Sequence, residues 1–463
     1  MRIAVVGAGV GGLACAVRLA HAGHAVTVLE RSAAPGGKAG RLTRDAFTWD
    51  TGPSLLTMPW VLRDLFAETG AALDEELDLV RVEPVTRYRF ADGTGFDLSA
   101  DLPRALEALD AWSPGAGADW TRVLGACAGM WRASERFLGG PPPWPPRRPR
   151  PGDAAPDPRD LLAVRPWRTL RGLARATVRD PRLRMVVERF ATYAGADPRR
   201  APAALAVAGY VEHAFGAWHV RGGIHEVPIA LARRLESLGG ELRLATPVRG
   251  LRADGRVRGV LTDAGEVACD AVVWNGDARD VPGHRSASSE RSLSGFVLML
   301  GLRGRDPGRA HHTIHFPADY DAEFDDVFVH HRPVRDPTIY EAASWVSDPA
   351  EQPADGESLF VLVNAPSEGS TDWDAVAAGH EARIVERLGL AERIVTRARL
   401  TPADLGALYG DAPHGRLGAL RRPNPFPASP RGLFLVGGTT HPGGGLPLVM
   451  LGARTVAREI GPA

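Results

Sequence analysis

The sequence predicts an α/β protein in two parts: a nucleotide-binding half assembled from separated segments, and an α+β half with a helical lid. Three observations point there. The chain opens on a β-branched strand, a glycine-rich turn and an apolar helix. It closes on a second strand, glycine run and helix. Its 463 residues exceed what one compact core accommodates, so two domains or more are expected.

Composition narrows the function classes. Hydrophobic content of 44% with 24% charged residues is globular, not disordered. The 55 basic and 55 acidic residues cancel, which argues against a nucleic-acid partner. Cys15, Cys127 and Cys269 are widely spaced and form no CxxC, which fits a reducing cytoplasm and neither a disulfide framework nor a zinc site. No apolar run reaches the length of about 18 residues that a membrane-spanning helix needs. Met1 to Ala20 is apolar, but a glycine fingerprint occupies the place of a leader's apolar region, so a secretory leader is not expected.

Arg2 to Val6 reads as a buried parallel strand. It enters Gly7-Ala8-Gly9-Val10-Gly11-Gly12 and a helix, and Ala25 to Leu29 forms a second strand ending at Glu30. This is a Rossmann-like unit. Gly7 permits the tight turn, Gly9 lets backbone approach a pyrophosphate, and Gly12 lets helix pack on strand. The helix N-terminus offers free N–H groups and a positive dipole end to phosphate. Glu30, at the strand tip, is placed to accept from ribose hydroxyls. On these residues alone NAD and FAD both remain open.

The next segment adds a resemblance. Arg31-Ser-Ala-Ala-Pro35-Gly36-Gly37-Lys38-Ala39 resembles the second glycine pair of the large FAD family that includes amine oxidases and carotenoid desaturases. Family members carry Arg where Lys38 stands, so charge is kept and the bidentate fork lost. Phe47-Thr48-Trp49-Asp50-Thr51-Gly52-Pro53-Ser54 is similar to a flavin-side loop of bacterial phytoene-desaturase-type enzymes, followed by a helix from Pro59 to Thr69. Phe190 to Pro198, Tyr210 to Gly223, Ala310 to Phe316 and Asp336 to Tyr340 match the same pattern, so the likeness runs along nearly the whole chain. Ile224 to Leu238 is read as a helix and Glu241 to Leu244 as a strand. Thr246-Pro247-Val248 resembles the segment whose valine backbone meets adenine, and Val257 to Leu261 with Val267 to Asn275 are read as a small sheet.

Gly432 to Val436 is the last strand, entering Gly437-Gly438-Thr439-Thr440-His441-Pro442-Gly443-Gly444-Gly445-Leu446-Pro447, with a helix from Leu448 to Ile460. In the family this helix N-terminus points at the flavin ring. Gly444 and Leu446-Pro447-Leu448 are more similar to the hydroxycarotenoid 3,4-desaturase branch than to phytoene desaturases proper.

The resemblance implies non-covalent FAD and a hydrophobic polyene or carotenoid substrate dehydrogenated by hydride transfer to flavin N5. It implies cofactor contacts from Gly7, Gly9, Gly12, Glu30, Arg31, Gly37, Lys38, Gly52, Pro53, Ser54, Val248, Asn275, Gly438, Thr439, Leu446, Pro447 and Leu448. His441 is the candidate catalytic polar group; a loop-holding hydrogen bond is its other reading. Lys38 is the sole lysine, and no cysteine follows Cys269, so the lysine and cysteinyl-flavin features of amine oxidases lack residues to supply them. Other readings are a tailoring desaturase or isomerase, and a prenyl-lipid-binding protein of the dissociation-inhibitor type.

Segments 1–85, 221–285 and 426–463 are assigned to the flavin domain, and 86–220 with 286–425 to the substrate domain and lid. Residues 141–158 form a proline-rich excursion. Arg168, Arg171, Arg175, Arg179 and Arg182 recur at helical spacing, which reads as a basic face for an anionic bilayer or as a solvated arginine surface. The chain is therefore placed in the cytoplasm, with the membrane surface as a second expected partner. His311, His312 and His315 alternate faces on a strand, a pattern for a polar-lined sheet and not a metal cage, so no metal is expected. Oligomeric state is not legible in the sequence.

Overall fold

Arg2–Val6 is the central strand of a five-stranded parallel sheet, ordered Leu433–Leu435, Ala271–Trp274, Arg2–Val6, Ala25–Leu29, Glu241–Arg243. The computed structural model describes residues 1–140, 158–281, 290–351, 353–367, 371–415, 418, 422–427 and 429–463. The sheet is buried on both faces, as continuous β-branched runs require. The helices Val10–His21, Glu226–Ser237 and Leu446–Ile460 pack on it and on one another. One sheet thus joins strands more than 400 residues apart in sequence, and this brings the two glycine-rich turns side by side.

The small antiparallel sheet holds Val248–Ala253, Val257–Thr262 and Gly265–Ala268. Residues 267–275 were expected to complete that sheet, and this is corrected. The segment breaks after Ala268, and Ala271–Trp274, all four residues buried, enters the parallel sheet instead.

A second, seven-stranded sheet runs Ile394–Leu400, Ser294–Arg303, Gly356–Ala365, Ile339–Ala342, His312–His315, Thr86–Arg89, Gly95–Leu98. Its period-two pattern sorts two apolar faces. Phe296, Leu298, Leu300 and Leu302 pack with Leu359, Val361 and Val363 against the helix Trp373–Leu388. Val297, Met299, Phe360, Leu362 and Leu400 turn the other way, towards Phe47 and Trp49. The helices Ala116–Leu138 and Val207–Phe215 line one cavity together with Val297, Phe360, Leu362 and Leu400 of that second face.

The basic helix expected over 168–182 is corrected. Thr169 caps a helix of Leu170–Thr177, Val178 is extended, and Asp180 caps a new helix at Pro181. Three of the five arginines are held in ion pairs with neighbouring elements. Arg171 bridges Glu188 and Asp321, Arg179 bridges Asp119, and Arg182 bridges Asp180 and Asp92 while stacking on Trp112. The proline-rich residues 141–157 lie outside the described residues. Among the described residues no helix is long and apolar enough to cross a membrane.

Candidate active site

The glycine turn is locked by contacts that admit no side chain. Gly7 has φ of +98°, and a Cβ at Gly12 would stand 2.2 Å from the Gly7 carbonyl oxygen. Asn275, at the end of the neighbouring strand, donates from Nδ2 to the Gly7 carbonyl at 3.3 Å. Its side chain lies against the turn, so a Cβ at Gly9 or Gly11 would come within 2.9 or 2.8 Å of it. Gly9 is the N-cap of the first helix with no side-chain cap, and Gly445 is the same for the last helix. The leading N–H groups of both helices therefore have no intrahelical partner, and both turns border one cavity. This is the donor set and the side-chain-free cradle that a dinucleotide pyrophosphate and a flat ring require.

That cavity measures about 2210 Å³. Of the residues expected to contact cofactor, all but Gly12 line it. Gly12 faces the strand beneath, where helix–strand approach needs it. Glu30, 6% exposed, accepts from the Ala8 N–H at 2.7 Å and the Ser32 N–H at 2.9 Å. It staples the turn to the strand tip while still bordering the cavity. Lys38 borders the cavity, bonds the Leu408 carbonyl, and has its ammonium pKa lowered by desolvation.

The 47–54 loop is fixed from behind. Asp50 accepts from the Ile224 and His225 N–H groups at 2.8 and 3.1 Å, tying the loop to the start of the helix Glu226–Ser237. Burial raises the Asp50 pKa against these bonds. A Cβ at Gly52 would stand 1.9 Å from the Lys38 carbonyl oxygen, so the two glycine loops touch backbone to backbone. Ser54 hydrogen-bonds Tyr340 on the seven-stranded sheet.

Of the two readings of His441, its position favours the loop-holding one. The buried ring does not border the cavity; Nε2 lies 3.2 Å from the Gly140 carbonyl oxygen, and Phe137 meets it edge-on. Desolvation pushes its pKa down to about 4. The ring holds the end of the helix Ala116–Leu138 against the glycine loop.

Sequence reading missed two groups. Arg422 is desolvated, which lowers its pKa, and donates to the Gly438 carbonyl at 3.2 Å. Arg189, Tyr193 and Glu212 form a buried polar cluster on the cavity wall. Their sequence separations gave no signal. His311 and His312 are buried, bonding Ser347 and the Val85 carbonyl respectively. Among the described residues no three metal-ligating side chains gather.

The model for flavin-containing amine oxidoreductases matches residues 10–292. Hydroxyneurosporene desaturase of Cereibacter sphaeroides is 36% identical, covering 99% of this chain and 97% of its own length. This chain belongs to the bacterial carotenoid desaturase family of flavin-dependent oxidoreductases. The zeta-carotene-forming phytoene desaturase of Myxococcus xanthus, at 32% identity over 99% of this chain and 93% of its own, agrees. An engineered putrescine oxidase shares the fold, with a TM-score of 0.66 at 19% identity, covering 99% of this chain and 98% of that one. FAD is the cofactor that family membership brings to the cradle. Desaturase relatives align end to end, so the flavin fold here carries an oxidoreductase and not a lipid escort.

Proposed function

We propose that the chain is an FAD-dependent desaturase that removes two hydrogens from a carotenoid or related polyene lipid, leaving a new C=C bond. The observation that carries this is one continuous cavity with two linings. One part presents glycine backbone and helix N-termini; the other presents Leu55, Met58, Val207, Val211, Ile314 and Leu362. A ring that takes hydride and a greasy chain that gives it fit in a single space.

FAD, when bound, supplies the hydride acceptor. The protein binds and orients it through Gly7 to Gly11, Glu30, Lys38, Gly52 to Ser54, Val248, Asn275 and the turn Gly438 to Leu448. The positive end of the helix Leu446–Ile460 favours negative charge beside it. The apolar wall excludes water from the chain. A cation next to a polyene is delocalised, so proton loss asks little of any base. In this reading 1–85, 221–285 and 426–463 serve the flavin, and 86–220 with 286–425 serve substrate and lid.

Membrane contact is assigned to a different surface from the arginine face. Leu162 and Trp167 are 62% and 54% exposed, beside Asp160, Val164 and Pro166, which border the cavity. This exposed apolar pair beside the cavity supports a bilayer contact there, where a polyene would enter. The test of function is anaerobic mixing with liposomes carrying acyclic carotenoids. Flavin bleaching with a lengthened chromophore is expected; bleaching by amines but not by polyenes would sink the reading.

A further inference from the structure

Beside the apolar residues Leu55, Val207, Val211 and Ile314, the cavity wall carries a buried ion pair, Arg189 with Glu212. Arg189, 5% exposed, donates to the hydroxyls of Tyr88 at 3.1 Å and Tyr193 at 3.0 Å, and to Glu212 at 3.4 Å. Tyr193 in turn donates to Glu212, itself 3% exposed. Arg189, Tyr193 and Glu212 all border the cavity.

Stability does not explain the cluster. Two desolvated charges in an apolar wall are commonly matched or bettered by hydrophobic residues of the same volume. The donor inventory is also incomplete. A guanidinium has five N–H donors, and the partners of Arg189 among the described residues take three. Each Glu212 oxygen accepts one bond, leaving lone pairs over. Buried groups with capacity to spare, on the wall of a channel, suit a ligand that both donates and accepts. The cluster also adjoins the cofactor-side loop: the charges of Arg189 and Glu212 act on the phenol of Tyr340, which Ser54 bonds.

Resting on the desaturase reading above, we propose that Arg189, Glu212 and Tyr193 are specificity-determining residues that bind a hydroxyl near one end of an otherwise hydrocarbon polyene. Glu212 accepts from the hydroxyl hydrogen, and Arg189 donates to its oxygen. A hydrocarbon end leaves the spare Arg189 donors and Glu212 lone pairs unmet, and a site built to bond a hydroxyl rejects the analogue that lacks it.

The experiment compares two acyclic polyenes of equal conjugation length, one with a terminal-region hydroxyl and one without, by flavin reduction in detergent with the flavin-loaded enzyme. The wild type is expected to favour the hydroxylated polyene in kcat/KM by about tenfold or more. Glu212→Gln should bring that ratio to within about threefold of unity, through KM for the hydroxylated polyene and not through kcat. If Glu212→Gln does not load flavin, Tyr193→Phe, which removes a bond holding Glu212, must shift the ratio the same way. A wild-type ratio near one, or variants that lose both substrates equally, overturns the assignment. Failure of both polyenes to reduce flavin in the wild type overturns the desaturase reading instead.

Discussion

At the scale of single residues, the glycine fingerprint was legible because its physics is local. Gly7, Gly9, Gly12 and Glu30 sit at fixed spacings, and each spacing has one reason. Gly12→Ala forces a Cβ into the Gly7 carbonyl oxygen at 2.2 Å. It should cost about 1–3 kcal/mol and lower the bound-flavin ratio, read by the visible spectrum of the purified protein. A full flavin complement would mean the turn tolerates what the contact forbids. The polar cluster was not legible, because Arg189, Tyr193 and Glu212 meet only after helices from different stretches pack. His441 was legible as a polar residue in a flavin loop, but its direction was not. His441→Ala is expected to lower the melting temperature through the lost Gly140 bond, worth about 1 kcal/mol, while kcat stays within about threefold. A loss of kcat by orders of magnitude with stability intact would restore the catalytic role.

At the scale of elements, periodicity gave strands and helices well and continuity badly. The arginine spacing over 168–182 held true helical intervals, yet Thr169 and Asp180 each cap a separate short helix. Arg171 is the partner of the buried Glu188, so Arg171→Glu should destabilise the fold by about 3 kcal/mol or more in urea unfolding. Liposome sedimentation should instead respond to Leu162→Asp with Trp167→Asp, falling severalfold without a stability change. Unchanged sedimentation would remove the apolar patch from the account. The sheet and its neighbours also carry buried neutral histidines: desolvation holds His219, His312, His380 and His441 at about 4. In the unfolded chain they titrate near the ordinary value of about 6.5, so unfolding takes up protons below it. Their contribution is whole above about pH 6.5 and is lost as pH falls towards 4. The urea midpoint should decline across that window; a flat profile would contradict the burial.

At the scale of the whole molecule, the α/β class and the flavin-oxidoreductase reading were in the sequence because both ends carry their own motif. The seven-stranded sheet was harder to see. Its strands come from 86–98 and 294–400, and no local pattern announces that Thr86–Arg89 pairs in parallel with His312–His315. The parallel sheet lends the cavity Val6 and Leu29 and the seven-stranded sheet lends it Ile314 and Leu362, so the fold's discontinuity is what joins cofactor space to substrate space. The central claim is that the joined space removes two hydrogens from a polyene. It is tested most directly by a single anaerobic turnover, measuring flavin reduced against product formed. One flavin reduced for each new C=C bond is expected, with a product two hydrogens lighter and no oxygen required. A product that forms only with oxygen, or flavin reduction without a new double bond, would contradict it.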